Sequence, residues 1–489
     1  MRSADLMADY RRYLAEGTIP ENKLHAEAVK ELASKGTTLE DLEAREIGTD
    51  AWRIAKKLME ADHFATLNGS EEVYVYKEGV YVEGGEALIK RRVQKFVSNT
   101  RDVTAHLVNE VEGHVQRSTF ISRGEFNTEG PVLVVENGLL DTETNQTAPH
   151  RADFYSMSKL PVIFDPSKDC QLFKAFLSQV LYSEDIAVLQ EWFGYCLHRG
   201  YPAQVAILFV GDGNNGKSTL LSVLKSFLGV DNISAVSLQE LETNRFAKVD
   251  LFGKLANIYA DLPDSALQSV GTFKMLTGGD PIRGEKKFHN SFPFVNFAKL
   301  TFSCNVVPEV HEDTTAFFRR WIIIQFPHAF EGALADKGLL KKLTTPDELS
   351  GVLNWALEGL KRLRDNGWTF SNSKSTEDVR LDYIRRSSPM KAFLLDCTKQ
   401  ESSASVAKQA LFEAFVHYCK LRKLPVVTSD TFFKNLPLYF PGRHLEESRE
   451  GPKGKRVRYF LGLGLRPSEE WGKALPEEEE EEGLKEAEG

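Results

Sequence analysis

Cysteine is scarce in this 489-residue sequence: Cys170, Cys196, Cys304, Cys397 and Cys419 lie far apart, with no C-x-x-C pair and no histidine cluster. That spacing offers neither a disulfide framework nor a zinc site, and buried reduced thiols are the expectation. Long apolar runs are missing too. No stretch approaches the ~18–20 apolar residues of a membrane span, and "MRSADLMADYRRYLAEG" lacks the apolar centre of a secretory leader. A protein of the cytoplasm of its cell or host, without membrane contact, is expected. No self-similarity recurs at a period of 20–50 residues, which excludes solenoids and propellers.

Positive charge is not in excess either, since 61 Lys+Arg against 70 Asp+Glu give −9. The C-terminal "EEWGKALPEEEEEEGLKEAEG" (Glu469 to Gly489) accounts for nearly all of it, with ten Glu and two Lys. A glutamate run of this kind reads as a solvated, disordered tail, so the acidity does not count against a nucleic-acid partner. The length allows roughly three domains. At 42% hydrophobic residues each can have its own core.

The first 68 residues read as helical, with apolar positions at helical spacing in "DAWRIAKKLMEADHFATL". From Val73, "VYVYKEGVYV" alternates and turns at Glu78-Gly79 as a hairpin does, and "GPVLVVENGLLDTET" repeats the strand-and-turn pattern. Residues 169–199 return to a helical period. Further on, "NSKSTEDVR" (Asn372 to Arg380) reads as a polar linker. After it come an amphipathic helix in "SVAKQALFEAFVHYCKLRKL", a short capped helix in "TSDTFFKNLPLYF" and a strand in "KGKRVRYFLGLGL", the order of a winged helix-turn-helix.

One motif has clear chemical content. "GDGNNGKST" matches G-x-x-x-x-G-K-[ST] at Gly211, Gly216, Lys217 and Ser218, behind a strand (Val205 to Val210) and ahead of a helix with Leu220, Leu221, Leu224 and Phe227 on one side. Glycines let backbone N–H groups of the loop, Gly211, Asp212, Gly213, Asn214, Asn215, Gly216 through Thr219, turn toward an anion, and the helix N-terminus adds its positive end. Lys217 is expected on the β/γ-phosphates and Ser218 on Mg²⁺, making ATP and Mg²⁺ the expected cofactors.

Three later stretches narrow the reaction. "KLANIYADLPD" is an apolar strand delivering Asp261, "KLTFSCNVVPE" a strand that stops at Asn305, and "TTAFFRRWIIIQF" sets Arg319 and Arg320 just before a third buried strand. Each alone reads equally well as a turn residue or a surface arginine pair. Together with the phosphate loop, "KMLTGGDPIRGEKKFHNSF" and "AFFRRW", they resemble the superfamily-3 helicases, closely the helicase half of phage and plasmid primase–helicases. The resemblance spans residues 70–330 well and the rest weakly.

That resemblance implies an α/β fold: an AAA+-like P-loop ATPase core (200–371), preceded by a helical segment (1–68) and an α+β region ending in a helical collar (69–199). A C-terminal winged-helix domain (372–468) and the acidic tail (469–489) follow. Asp261 becomes the Mg²⁺ carboxylate, aided by Asp264. Asn305 becomes the polar sensor near the γ-phosphate, and Arg320, with Arg319 as close competitor, the finger reaching a neighbour's ATP. Many relatives carry an acidic pair where Ala260 precedes Asp261 here, which leaves the water-activating residue open. A finger in trans implies a ring, six subunits by resemblance.

DNA is the expected partner, and a primase or polymerase, if one exists, is expected as a separate polypeptide or a missing N-terminal part. The basic-aromatic hairpin Arg283, Lys286, Lys287, Phe288 and His289 suits a central channel, though alone it reads as well as a solvated surface and only its place by the resemblance favours DNA, and Lys453, Lys455, Arg456 and Arg458 suit a phosphate-contacting wing or a protein-docking module. Residues 1–200 hold no D-x-D pair with a nearby histidine for two-metal synthesis, so the chain is expected to unwind rather than polymerise. Two competing readings are an origin-binding or helicase-loading ATPase switch and a structural replisome component with a degenerate site. The intact Lys217, Ser218, Asp261, Asn305 and Arg320 argue against the last.

Overall fold

The computed structural model describes residues 3–35, 50–97, 102–127, 130–287, 291–310, 314–330, 336, 338–371, 373–422, 424–440, 446–450 and 456–471. The glutamate run lies outside them.

The N-terminal part is an α+β layer. Helices Ser3–Glu16 and Lys23–Ser34 come first, then Ala51–Ala61, started by Asp50, whose carboxylate accepts the Arg53 N–H. The expected all-helical segment ends there: Asp62 caps the helix in an extended conformation, and Phe64–Leu67 is strand β1, four consecutive buried residues of which Phe64, Ala65 and Thr66 pair with β2. Strands β2 (Val73–Lys77) and β3 (Val80–Val82) form the anticipated hairpin, with Glu78 at φ 48° and Gly79 at φ 101°, both in the left-handed region a two-residue turn requires. The sheet order is β3-β2-β1-β4, with β4 at Phe120–Ile121. Ile54, Leu58, Ile89, Val93, Val111 and Val115 bury the helices Ala51–Ala61, Gly85–Phe96 and Ala105–Ser118 together. A small second sheet follows: β5 (Val132–Val135), β6 (Gly138–Asp141) and β7 (Thr147–Ala148).

Helices Gln171–Val180 and Ser183–Tyr195 lead to the central sheet, and the latter lies against Pro346–Asp365. The approach is close because each helix presents a glycine: a Cβ on Gly194 would stand 2.4 Å from the Ala356 carbonyl oxygen, and one on Gly359 2.3 Å from that of Gln190.

The central sheet is parallel throughout: β8 (Ala206–Val210), β9 (Ile233–Ser234), β10 (Ala256–Tyr259), β13 (Lys299–Cys304) and β14 (Trp321–Gln325), in the order β14-β8-β13-β10-β9. Numbered along the chain this is 5-1-4-3-2. Both faces are covered, so the strands read as near-continuous apolar runs. Ile207 and Phe209 face the core with helix Lys217–Leu228, whereas Ala206, Leu208 and Val210 face the one containing Phe273, Phe302 and Phe317. A two-stranded hairpin, β11 (Pro281–Gly284) with β12 (Phe292–Val295), projects between β10 and β13.

The expected linker is half helix. Thr376–Ser387 is helical, capped by the Ser375 hydroxyl accepting the Asp378 N–H, and its Tyr383 is buried against Phe317, Phe318 and Trp321 of the central unit. The C-terminal module therefore begins after it. It runs helix Pro389–Cys397, β15 (Thr398–Ala407), helices Lys408–Leu421 and Ser429–Asn435, then β16 (Glu447–Glu450) and β17 (Val457–Leu465), with the antiparallel order β15-β17-β16. Phe393, Phe415, Phe432 and Leu463 fill its core. All five cysteines are buried, and among the described residues no helix is long and apolar enough to cross a membrane.

Candidate nucleotide site and nucleic-acid surfaces

The glycine-rich loop leaves the sheet where β8 ends. Gly211, at φ 158°, could carry no side chain: a Cβ would lie 2.4 Å from Asn215 Nδ2 and 2.7 Å from the Phe326 carbonyl oxygen. Gly216, at φ 91°, where a Cβ would stand 2.8 Å from Val180 Cγ1, precedes the helix at Lys217, whose N–H donates to Asn215 Oδ1 (3.5 Å), and no side chain of the N-cap takes the N–H groups that follow. Lys217 is 7% exposed, and its ammonium donates to the carbonyls of Gly211 and Asp212 (2.9 Å) and to Asn215 Oδ1 (3.1 Å). Burial pulls its pKa below the ordinary lysine value, opposed by Cys304, Asp212 and Asp261. Asp212, Gly213, Asn214 and Ser218 are exposed and Thr219 half-buried.

Register brings the other two motifs to the same edge. Cys304 pairs with Val210 and Phe302 with Tyr259, so Asn305 and Asp261 leave the sheet beside the loop. Asp261 is turned out of its strand at φ 67°, while Leu262 resumes the ladder by donating to the Ser303 carbonyl (2.8 Å). Asp261, Asp264 and Asn305 are all exposed. One neighbour escaped the sequence reading. Arg386 donates to Gln325 Oε1 and Asp382 Oδ1, both at 2.6 Å, and Gln325 pairs with Val210 at the start of the loop. No spacing pattern signals this, because helix Thr376–Ser387 returns to the site only through tertiary packing.

Arg319 and Arg320 lie at the opposite edge. The Ala206 N–H donates to the Arg320 carbonyl (2.7 Å) at the amino end of the strands, about 16 Å of strand from the loop at ~3.3 Å per residue. Arg320 is 8% exposed, with Nε donating to Thr277 Oγ1 (3.0 Å) and Nη1 to the Ala316 carbonyl. Arg319 is exposed and donates to Gln204 Oε1 (3.0 Å). Within one chain neither arginine joins Lys217.

The hairpin is engaged with the N-terminal layer. Lys286 Nζ pairs with Glu72 at 2.8 Å and Glu83 at 3.5 Å, and the Arg123 guanidinium stacks 3.7 Å over the Phe292 ring. Arg283 donates to Ser291, and Lys287 lies 5.9 Å over the ring of Phe246, which Arg245 also covers at 4.7 Å. Arg245 and Phe246 therefore join the basic-aromatic surface. Their signal in sequence was the dipeptide alone, 37 residues or more before the hairpin tip. Phe288 and His289 lie outside the described residues, as do Lys453 and Lys455. Arg456 and Arg458 are exposed at the start of β17.

The fold and the site together define an α/β chain whose parallel sheet carries a glycine-rich loop, an aspartate and an asparagine at one edge. A family model described as "D5 N terminal like" matches residues 27–181, and one described as "Family of unknown function (DUF5906)" matches residues 209–320. The second runs from within β8 to Arg320. Similar solved structures include the A form apo structure of the NrS-1 C terminal region, at 12% identity over 84% of this chain and 99% of that one, with a TM-score of 0.46. Another apo structure of the NrS-1 C terminal region matches at 12% identity over the same shares, with a TM-score of 0.44.

Proposed function

We propose that this chain is an ATP- and Mg²⁺-dependent DNA helicase of the superfamily-3 type, acting in phage or plasmid replication as a ring built on an AAA+-like core. The observation that carries this reading is the convergence of Lys217, Asp261 and Asn305 at the carboxyl edge of a parallel sheet in 5-1-4-3-2 order, with Arg319 exposed at the far edge. The D5 N-terminal-like match over residues 27–181 agrees with the primase–helicase resemblance of the motifs.

Lys217 already sits among oxygen acceptors, Gly211 and Asp212 carbonyls, which the β/γ-phosphates would replace. Ser218 and Asp261 are exposed oxygen donors on the same edge, a set that fits Mg²⁺, and they would hold it. Bound there, Mg²⁺ would supply positive charge to offset that developing on the phosphates. Asn305 is the polar sensor beside the γ-phosphate and the attacking water, and the residue that activates that water stays open, since Ala260 stands before Asp261. The finger comes from a neighbouring subunit, and exposure puts Arg319 ahead of Arg320. The antiparallel order β15-β17-β16 between helices supports a winged helix, with Arg456 and Arg458 at the wing. The hairpin and wing contact DNA, a separate primase or polymerase supplies synthesis, and the cytoplasm is the working compartment.

Fork unwinding with ATP, run beside a primer-synthesis assay and with Lys217→Ala as control, tests the reading. Strand displacement that needs ATP and an intact Lys217 is expected, without primer synthesis. Slow hydrolysis with no displacement would instead make the chain an origin-binding or loading switch.

A further inference from the structure

Where the C-terminal module meets the central unit there is a groove of ≈ 600 Å³. Its floor is apolar and comes from both sides, through Phe318 and Ile384 of the central unit and Leu394 of the module. Four cations line it, Arg380, Lys391, Lys399 and Arg466, and no carboxylate is among its described lining residues.

The cations are held within the chain, Lys399 by a pair that solvent reaches. Arg380 pairs at 3.2 Å with Glu377, and Lys399 at 3.2 Å with Glu401, whose side chain is 52% exposed, so the Lys399 pair is a solvent-screened one that a phosphate can replace. Arg466 is oriented by its Nε bond to the Thr398 carbonyl (2.9 Å). Lys391 stands 5.8 Å over the Tyr439 ring, and the neighbouring Leu438 is 73% exposed. Cations spread along a groove with an aromatic ring and an exposed apolar side chain at its lip suit a strand whose phosphates meet the charges and whose bases or sugars meet the ring. The volume admits a short run of single strand.

One helix fixes this wall to both units. On Thr376–Ser387, Arg385 pairs with Asp396 of the module (2.9 Å), while Arg386 reaches Gln325 beside the phosphate loop.

We propose that this groove binds the phosphate backbone of single-stranded nucleic acid passing between the ATPase core and the C-terminal module. The proposal rests on the reading of the chain as a nucleic-acid motor. Its test is fluorescence anisotropy of a labelled oligothymidine against the full chain over a salt series, with Lys391→Glu/Lys399→Glu and, as the mild variant on an exposed side chain, Lys399→Ala. The double variant is expected to lower the salt slope by roughly 1.4 and affinity at 0.1 M salt roughly 25-fold, and Lys399→Ala to do about half of this on a logarithmic scale, at ~0.7 per phosphate contact. ATPase without DNA stays at the wild-type rate. Oligonucleotides carrying 4-thiothymidine are expected to crosslink to peptides spanning 391–400 and 438–440. Unchanged slopes in a folded Lys399→Ala chain, or crosslinks confined to the β11–β12 hairpin and the β16–β17 strands, overturn the groove. Wild-type protein that binds no oligonucleotide at all sinks the motor reading instead.

Discussion

The Lys286 ammonium stands 2.8 Å from the Glu72 carboxylate, across a separation of 214 residues. Glu83 approaches the same ammonium at 3.5 Å. Burial pulls the lysine's pKa down, yet the bonds and charges of Glu72 and Glu83 outweigh it and hold the group above its ordinary value. The hairpin proposed to grip DNA is thus tied to the N-terminal layer by the cation it would use.

Releasing that tie should strengthen DNA binding. In Glu72→Gln/Glu83→Gln, Lys286 keeps its charge but loses both acidic partners, adding up to one phosphate contact. The salt slope of oligonucleotide binding is expected to steepen by about 0.7, with an affinity gain of roughly 5-fold at 0.1 M salt. With Lys286 tied, Lys286→Ala/Lys287→Ala removes only the contact open to Lys287 and should flatten the slope by about 0.7. Slopes indistinguishable from wild type in both variants would move the DNA path away from this hairpin.

Lys217→Ala separates the chemistry of the loop from its stability. The ammonium bonds only groups of its own loop, Gly211, Asp212 and Asn215, and the core holds without it. Folding, read by circular dichroism and urea midpoint, is expected to lose no more than about 1.5–3 kcal/mol, the worth of hydrogen bonds to a charged group. ATP turnover should fall to background. Near-normal turnover would remove the nucleotide site from this loop.

Gly359→Ala tests the helix contact behind the sheet. Alanine favours a helix over glycine by about 1 kcal/mol. Here, however, the added carbon would meet the Gln190 carbonyl oxygen at 2.3 Å, backbone that cannot rotate away. Overpacking of this kind costs about 1–3 kcal/mol, so net destabilisation is expected in chemical denaturation. A more stable variant would mean that the helices separate freely.

What could be read from sequence follows from which signals are local. The loop between β8 and its helix, and the strand ends delivering Asp261 and Asn305, depend on residues within a dozen positions, and the register places all three together. The strand at Phe64–Leu67 was hidden because "HFATL" continues an apolar run after a helix, and its pairing with β2 is what makes it a strand. Helix Thr376–Ser387 was hidden by polar composition, though Ser375 ahead of Glu377 and Asp378 is a helix start. The Lys286–Glu72 pair and the reach of Arg386 to Gln325 have no local signature at all. They exist only once distant elements pack.

The arginine pair shows the same limit and gives the sharpest test of a ring. Spacing alone does not separate Arg319 from Arg320, whereas burial does: Arg320 is 8% exposed and bonded to Thr277 and Ala316, and Arg319 is exposed at an edge far from its own loop. Arg320→Ala should therefore destabilise the fold by about 1–3 kcal/mol, the cost of leaving buried partners unmet, and lose activity in step with folded fraction. Arg319→Ala should fold and bind ATP normally, because Lys217 and the loop amides act within the same chain. Its hydrolysis should fall by roughly 10³-fold or more, the usual worth of a finger in trans. Mixing it with Lys217→Ala should restore part of the ATPase, since mixed rings contain interfaces where an intact loop meets an intact finger, and recovery should rise with protein concentration. If mixed oligomers form by native mass spectrometry yet stay inactive, no finger acts in trans from this edge. If a fully folded Arg320→Ala is the variant rescued, the finger is Arg320.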